Sequence, residues 1–258
     1  MREPKISIIT VVFNNEATIA DTIESVRAQN YPNMEYIVVD GLSKDRTLDR
    51  INERRDVITR LVSEEDFGIY DAMNKGISLA TGEVIGFING DDFYMPGALA
   101  KVAEAFRDPA LEACYGDLCY VRQKDTSTIV RDWRSSPFVP KAFEDGWCPP
   151  HPTFFVRREV YKRLGSFDLS YRIAADVELM MRFLERHFIK SKYLPGIMVK
   201  MRMGGTTNRS WKNILQQNKE ILRALETHGL RASPVHFFSK KLISRGMQVL
   251  RAALLKVR

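Results

Sequence analysis

The sequence predicts an α/β protein, with a mostly parallel central sheet covered by helices on both faces and a helical C-terminal appendage. Three observations predict it. Apolar runs of strand length alternate with segments of helical spacing through the first ninety residues. The first run, Ile6 to Phe13, is nearly continuous in apolar residues, as befits a strand covered on both sides. Polar residues recur where the strands stop, at Asn14 and Glu16, Asp40, Asp66, and Asp91 with Asp92. Ligands of open α/β sheets bind beyond those carboxyl ends.

The elements follow in order. After the first strand, Thr18 to Gln29 places Ile19, Ile23 and Val26 on one side of a helix. Pro32-Asn33 makes a turn into a buried strand, Glu35 to Val39, which stops at Asp40-Gly41. Leu48 to Arg60 reads as a helix, Thr59 to Ser63 as a strand, Ile69 to Ala80 as a helix and Glu83 to Ile88 as a strand ending at Asn89-Gly90-Asp91-Asp92. Pro96 to Phe106 is helical, and Ala113 to Gln123 is a strand carrying Tyr115, Asp117 and Tyr120. Residues 125–150, rich in Pro, Ser and Trp, read as a long loop over the site. His151 to Arg157 resumes a strand, Arg158 to Leu164 and Asp176 to His187 are helices, and Lys192 to Met201 is the last strand. From Trp211 onward helices dominate.

Composition narrows the function. The chain has 258 residues, 45% hydrophobic and 28% charged, which fits a globular α/β domain and excludes a disordered or collagenous chain. The three cysteines, Cys114, Cys119 and Cys148, form no CxxC pair, so neither a disulfide framework nor a structural zinc site is expected. No apolar run reaches the roughly 18 residues of a membrane span, and the N-terminus lacks the pattern of a signal peptide. A cytoplasmic location is the expectation. No phosphate loop, dinucleotide fingerprint or nucleophile elbow occurs.

The net charge of +7 conceals an asymmetry. Residues 201–258 hold 12 Lys/Arg and 2 Asp/Glu, whereas the other 200 hold 27 and 30. Within that basic quarter, Val235 to Arg258 interleaves Phe237, Phe238, Leu242, Ile243, Val249, Leu250, Leu254 and Leu255 with Lys240, Lys241, Arg245, Arg251, Lys256 and Arg258. Such a helix either lies in a membrane interface or docks on the domain with its lysines in water. Nucleic acid is not the expected partner, because the basic residues sit on an apolar stripe and accompany no recognised binding motif.

The acidic pair is the central chemical feature. Asp91 and Asp92 follow a buried strand, where adjacent carboxylates repel and resist desolvation. A hard divalent cation, Mg2+ or Mn2+, relieves that cost while bridging to phosphate oxygens. The alternative is a solvated turn in which an Asp caps the next helix.

The segments PKISIITVVFNNEATI, EYIVVDGLSKDRT, SEEDFGIYDAMNKGISLATGEVIGFINGDD and HPTFFVRREVYKRLGSFDLSYRIAADVELMMR, in this order over roughly residues 4 to 200, resemble the family 2 glycosyltransferases, which have the GT-A fold. GIYDAMNKGI and AADVEL are most similar to bacterial transferases of exopolysaccharide, colanic-acid-like and lipopolysaccharide assembly. The resemblance implies a catalytic domain over 1–205, with a nucleotide-binding half at 1–95 and an acceptor-side half at 96–205, and a basic helical extension at 206–258. It makes NGDD the metal motif, with Asp92 the direct ligand and Asp91 beside the ribose or sugar of the donor. Val11 and Phe13 would touch the nucleotide, Glu16 would join them at the first strand end, and Asp40 would help hold the base. Many relatives carry two acids where this chain has Asp40-Gly41. Asp66, Asp71 and Lys75 would flank the donor pocket.

Asp176 would be the catalytic base, taking the proton of an acceptor hydroxyl. Its alternative is an N-cap. Glu178, about 200° away around a helix, cannot face the same substrate. His151 is expected as an acceptor or metal contact or a packing residue. Trp147 and Trp133 are expected to stack on a sugar or pack. The implied activity is inverting, metal-dependent transfer of a hexosyl or deoxyhexosyl group from a nucleoside-diphosphate sugar to a saccharide acceptor. That acceptor would be lipid-linked, at the inner face of a bacterial membrane that the basic helix touches. A non-catalytic nucleotide-sugar-binding protein is the rival on the same fold.

Overall fold

The computed structural model describes residues 3–204 and 211–255. Among the described residues nine strands form one sheet: β1 (Ile6–Val12), β2 (Met34–Asp40), β3 (Arg60–Ser63), β4 (Val84–Phe87), β5 (Phe93–Tyr94), β6 (Ala113–Val121), β7 (Ile129–Trp133), β8 (Phe155–Arg157) and β9 (Ser191–Arg202). Their order is β3-β2-β1-β4-β8-β6-β9-β5, with β7 paired to the second half of β6. The first four strands are parallel, as alternation with helices predicts. At β8 the sheet turns antiparallel, and β6 with β9 restores a long parallel pair. The sheet is therefore mixed, parallel in its N-terminal half.

Eight helices pack on it: α1 (Ile19–Arg27), α2 (Thr47–Asn52), α3 (Ile69–Leu79), α4 (Ala98–Ala105), α5 (Arg158–Leu164), α6 (Ala175–Met181), α7 (Trp211–Thr227) and α8 (Pro234–Leu255). β1 is buried along its whole length, and its side chains alternate between two cores. Ile9 and Val11 join α3, α6 and α7 on one face; Ile6, Ile8 and Val12 join α1 and α4 on the other. The expected helix from Leu48 to Arg60 is shorter, since α2 ends at Asn52 and a 3-10 turn at Arg55–Val57 leads into β3.

Two expectations fail in instructive ways. Residues 125–150 are not one loop, because β7 extends the sheet and a 3-10 turn forms at Ala142–Asp145. His151 does not begin a strand. With Pro150 before it and Pro152 after it, His151–Thr153 makes a 3-10 turn, and the strand starts only at Phe155. The expected helix from Asp176 to His187 is α6 continued by a wider π turn at Arg182–Arg186. The expected boundary between 205 and 206 lies outside the described residues, as do Lys256 and Arg258.

Candidate active site

The parallel register brings the carboxyl ends of β1, β2 and β4 to one edge. Val12 lies opposite Asp40, and Ile9 opposite Phe87. A cleft of about 560 Å³ opens there. Its wall includes Val11, Phe13, Asp66, Asp91, His151 and Asp176. The two acidic regions that the sequence separates by 85 positions therefore meet in one cavity.

The NGDD turn is set by β5, which pairs antiparallel with β9 and lays the acidic pair beside Arg202. The two carboxylates then part. Asp92 is fully buried. Its Oδ1 accepts the Arg202 N–H at 3.1 Å, and its Oδ2 accepts the Asn89 amide at 3.0 Å. Burial first, and then the charge of Asp91, push its carboxyl well above the ordinary range. Asp91, not Asp92, lines the cleft. Of the two residues expected at the metal, Asp92 holds the turn against β9 and Asp91 borders the cleft. Arg202 reinforces the turn by donating to the Asp91 carbonyl at 2.8 Å and pairing with Asp21.

Several residues expected in the donor pocket hydrogen-bond or pair with the loops around it. Glu16 is exposed; it accepts the Arg46 N–H at 2.9 Å and donates its own N–H to Asp45. Asp40 is fully buried beneath the cleft, accepting the Ser63 hydroxyl at 2.6 Å and the Ser43 N–H. Asp71 accepts the Phe67 N–H at 3.1 Å, and Lys75 pairs with Glu64 at 3.1 Å and with Asp71. Neither Asp71 nor Lys75 lines the cleft; together they pin the segment 64–68. Asp66 does line it. A Cβ on Gly41 would lie 2.3 Å from Asp66 Oδ2, so the missing side chain at position 41 gives Asp66 its place.

Asp176 stands in the first turn of α6, whose N-cap is Ala174. The N-cap alternative is thereby excluded. Asp176 Oδ1 accepts the Tyr70 hydroxyl at 3.0 Å, and that phenol also reaches the Ile173 carbonyl at 2.9 Å. From α7, Glu220 accepts the backbone N–H groups of Arg172, Ile173 and Ala174 at 3.1, 2.9 and 2.9 Å. Burial opposes its ionisation, but these donors and Gln216 hold its carboxyl below the ordinary range. Glu178 turns away, as its angular position requires, to Arg182 at 3.0 Å and His228 at 2.9 Å.

His151 is 8% exposed and lies between the rings of Phe87 and Phe167 at 5.4 and 5.5 Å. Burial lowers its pKa, which keeps it neutral near pH 7 despite Asp176. Trp147 does not reach the donor cleft. It packs on Tyr115 and Phe143 in a second cavity, of about 230 Å³, between the domain and α8. Asp176, His151 and Tyr120 border both cavities.

The C-terminal helix docks on the domain along one stripe and leaves another, largely apolar stripe exposed. Phe237, Gln248 and Ala252 are buried against the domain, with Lys241 and Arg245 between them on the same stripe. Val235, Leu242, Ile243, Val249, Leu250 and Leu254 face outward and are exposed. Tyr70, Tyr120, Arg131 and Glu220 were not singled out as site residues by sequence. Glu220 carries no local signal, since its partners lie some 46–48 residues away.

Among the described residues, no helix is long and apolar enough to cross a membrane, and no three His, Cys, Asp or Glu side chains form a metal cluster. One accessible carboxylate fits a cation that takes its remaining ligands from substrate phosphate and water.

Comparison with known proteins gives the family and the fold. The chain is 30% identical over 218 residues to a PGL/p-HBAD biosynthesis glycosyltransferase of Mycobacterium bovis (strain BCG / Pasteur 1173P2), covering 81% of each chain. It is 32% identical over 182 residues to an uncharacterized glycosyltransferase of Mycobacterium tuberculosis (strain ATCC 25618 / H37Rv), covering 69% of this chain and 68% of the other. The fold is similar to Staphylococcus aureus TarS 1-349 in complex with UDP-GlcNAc, with TM-score 0.68, 17% identity and coverage of 92% and 72%. It is also similar to the mannosyltransferase PcManGT of Pyrobaculum calidifontis in complex with GDP-Man and Mn2+, with TM-score 0.67, 20% identity and coverage of 98% and 74%. Residues 7–165 match the family model of glycosyl transferase family 2. The chain thus belongs to glycosyl transferase family 2 and is a glycosyltransferase with the GT-A fold.

Proposed function

We propose that the chain transfers a sugar, with inversion, from a nucleoside-diphosphate donor in the larger cleft to a saccharide hydroxyl presented from the smaller cavity. One observation carries this reading: Asp176 belongs to both cavities, so a single carboxylate faces the meeting point of two substrates. The acceptor oxygen attacks the anomeric carbon and its proton passes to Asp176. The bond to the diphosphate breaks, and its electron pair leaves on the phosphate oxygen. Tyr70 orients the carboxylate, and Glu220 holds the backbone that carries it. Val11 and Phe13 border the nucleotide, with Asp66 near the base or ribose.

Asp91 is the residue that would hold Mg2+ or Mn2+. Such a cation, when bound, neutralises charge developing on the leaving diphosphate. Asp92 and Arg202 keep the turn that presents Asp91. The similar folds carry a uridine or a guanosine sugar, and both are candidate donors here. The halves 1–95 and 96–205 serve donor and acceptor respectively. The outward apolar stripe of α8, with Lys240 and Arg251 exposed beside it, supports docking on an anionic membrane and a lipid-linked acceptor in cell-surface polysaccharide synthesis.

A panel of UDP- and GDP-sugars, screened by thermal shift and nucleotide release with and without Mn2+, tests the donor side. One donor is expected to bind only with metal. Asp91→Asn should abolish that metal dependence, and Asp176→Asn should keep donor binding but lose transfer. Full activity in either variant removes the role given to that residue. Flotation with phosphatidylglycerol vesicles tests the helix, with Leu242→Ser/Ile243→Ser/Leu250→Ser expected to stay with the soluble fraction.

A further inference from the structure

The smaller cavity has an unusual charge balance. Arg131, Lys241 and Arg245 line it, and Asp176 is the only carboxylate on its wall among the described residues. Arg134, on the same wall, and two other cations of the fold are matched by carboxylates. Arg134 pairs with Asp117 and Asp132, Arg182 with Glu178, and Arg202 with Asp21. Among the described residues Arg131, Lys241 and Arg245 form no ion pair with a carboxylate.

Arg131 and Lys241 are nonetheless held in place. The Arg131 guanidinium lies 4.1 Å from the centre of the Tyr120 ring and 5.2 Å from that of Trp133, two rings stacked within 5° of parallel. Its Nε is buried without a hydrogen-bond partner among the described residues. The Lys241 ammonium donates to Asn218 at 2.8 Å and lies 5.4 Å from the Phe237 ring. Burial, together with Arg245, lowers its pKa to about 8. Burial likewise lowers that of Arg131. Two desolvated cations, Arg131 and Lys241, thus share the wall with a third, Arg245, at a cost that an anion would offset.

Their position says where that anion sits. Lys241 and Arg245 are on the stripe of α8 that faces the domain, so they do not face a bulk lipid surface. The cavity meets the donor cleft at Asp176. We propose that the cavity beneath α8 is an anion subsite that seats a phosphate carried by the acceptor on Arg131, Lys241 and Arg245, leaving the acceptor's hydroxyl end at Asp176. This rests on the donor and acceptor assignment above and adds the acceptor's chemical class. Guanidinium and ammonium groups in a partly dry pocket favour phosphate through charge-assisted hydrogen bonds. The aromatic wall of Tyr120, Trp133 and Trp147 suits the apolar or sugar portion attached to it.

Trp133 and Trp147 make the subsite visible by intrinsic fluorescence. The full chain is titrated at pH 7, without divalent cation, with hexyl phosphate, inorganic phosphate and hexanol. Hexyl phosphate is expected to change the fluorescence saturably and hexanol is not. Lys241→Met and Arg245→Met should each weaken hexyl phosphate by about tenfold or more. Lys240→Met and Arg251→Met, on the exposed side of the same helix, should leave it unchanged. Hexyl phosphate tighter than inorganic phosphate points to a lipid-borne group, and equal affinity to a soluble phosphorylated acceptor; both support the subsite. Equal binding in all four variants, or hexanol binding as well as hexyl phosphate, overturns it. UDP and GDP titrations with Mn2+ run in parallel. Nucleotide binding by wild type and variants alike, without phosphate binding, sinks the subsite alone, whereas absent nucleotide binding counts against the donor cleft.

Discussion

The phenol of Tyr70 lies 3.0 Å from Asp176 Oδ1, so a residue of α3 orients a carboxylate of α6 across 106 positions of sequence. Tyr70 is buried, and burial first, then Asp176, raises its pKa well above the ordinary value. It therefore stays a hydrogen-bond donor at every working pH. Tyr70→Phe keeps the ring against Phe167 at 5.4 Å while removing that donor. Steady-state kinetics should show kcat reduced about tenfold with donor KM nearly unchanged, and stability lower by about 1 kcal/mol. Unchanged kcat would show that the phenol does not orient the base.

Glu220 provides a second anchor for the same carboxylate. Its three backbone donors precede α6 directly. Glu220→Gln replaces one accepting oxygen by an amide nitrogen that cannot accept. Denaturant melts should show a loss of about 2 kcal/mol, and turnover should fall while donor affinity holds. A variant with wild-type stability would mean that the backbone of 172–174 is held by other means.

Gly41 controls Asp66. Gly41→Ala puts a methyl group into the space of Asp66 Oδ2 and turns that carboxylate out of its place in the cleft. Donor KM should rise about tenfold if Asp66 contributes one charge-assisted hydrogen bond. Asp66→Asn should rise similarly, and Gly41→Ala made on that background should add little. Additive losses would separate the two residues.

Glu35 couples the fold to acid. Buried at 2% exposure, it accepts the hydroxyls of Ser7 and Thr81 at 2.5 and 2.7 Å and the Thr81 N–H at 2.8 Å. Burial alone would raise its pKa, but these donors and Lys5 bring it down from 4.5 to about 2. A depressed folded pKa means that its contribution is complete above pH 4.5 and is lost as pH falls toward 2. That contribution is on the order of 2–3 kcal/mol. Melting temperature should fall as pH is lowered through this window, and Glu35→Gln should flatten that dependence.

Much of the fold was legible because burial imposes a period. β1, β2 and β4 are short apolar runs, and α1 and α3 place apolar residues at helical spacing, so their existence followed from pattern alone. β5 was not legible, for two residues become a strand only by meeting β9. β7 was hidden for another reason: Ile129–Trp133 opens a stretch rich in Pro, Ser and Trp, and its antiparallel pairing with the preceding strand β6 overrides that composition. At the site, the convergence of strand ends was readable, and so was the separation of Asp176 from Glu178. Which of Asp91 and Asp92 faces the cleft was not, because adjacent residues in a turn diverge and only Arg202 and Asn89 decide between them. The basic residues of α8 posed the same problem. Docking with the lysines in water was one of the two readings, but Lys241 lies on the inward stripe with Phe237, Gln248 and Ala252.

That inward stripe has a consequence for how substrates enter and leave. Only Phe237, Gln248 and Ala252 of α8 are buried among its described side chains, so the roof of the smaller chamber is fastened by few apolar anchors. Lifting it costs far less than opening the sheet below, whose strands are sealed on both faces. Under the donor and acceptor assignment proposed above, a bulky product would leave sideways through a loosened ceiling while the donor side stays assembled.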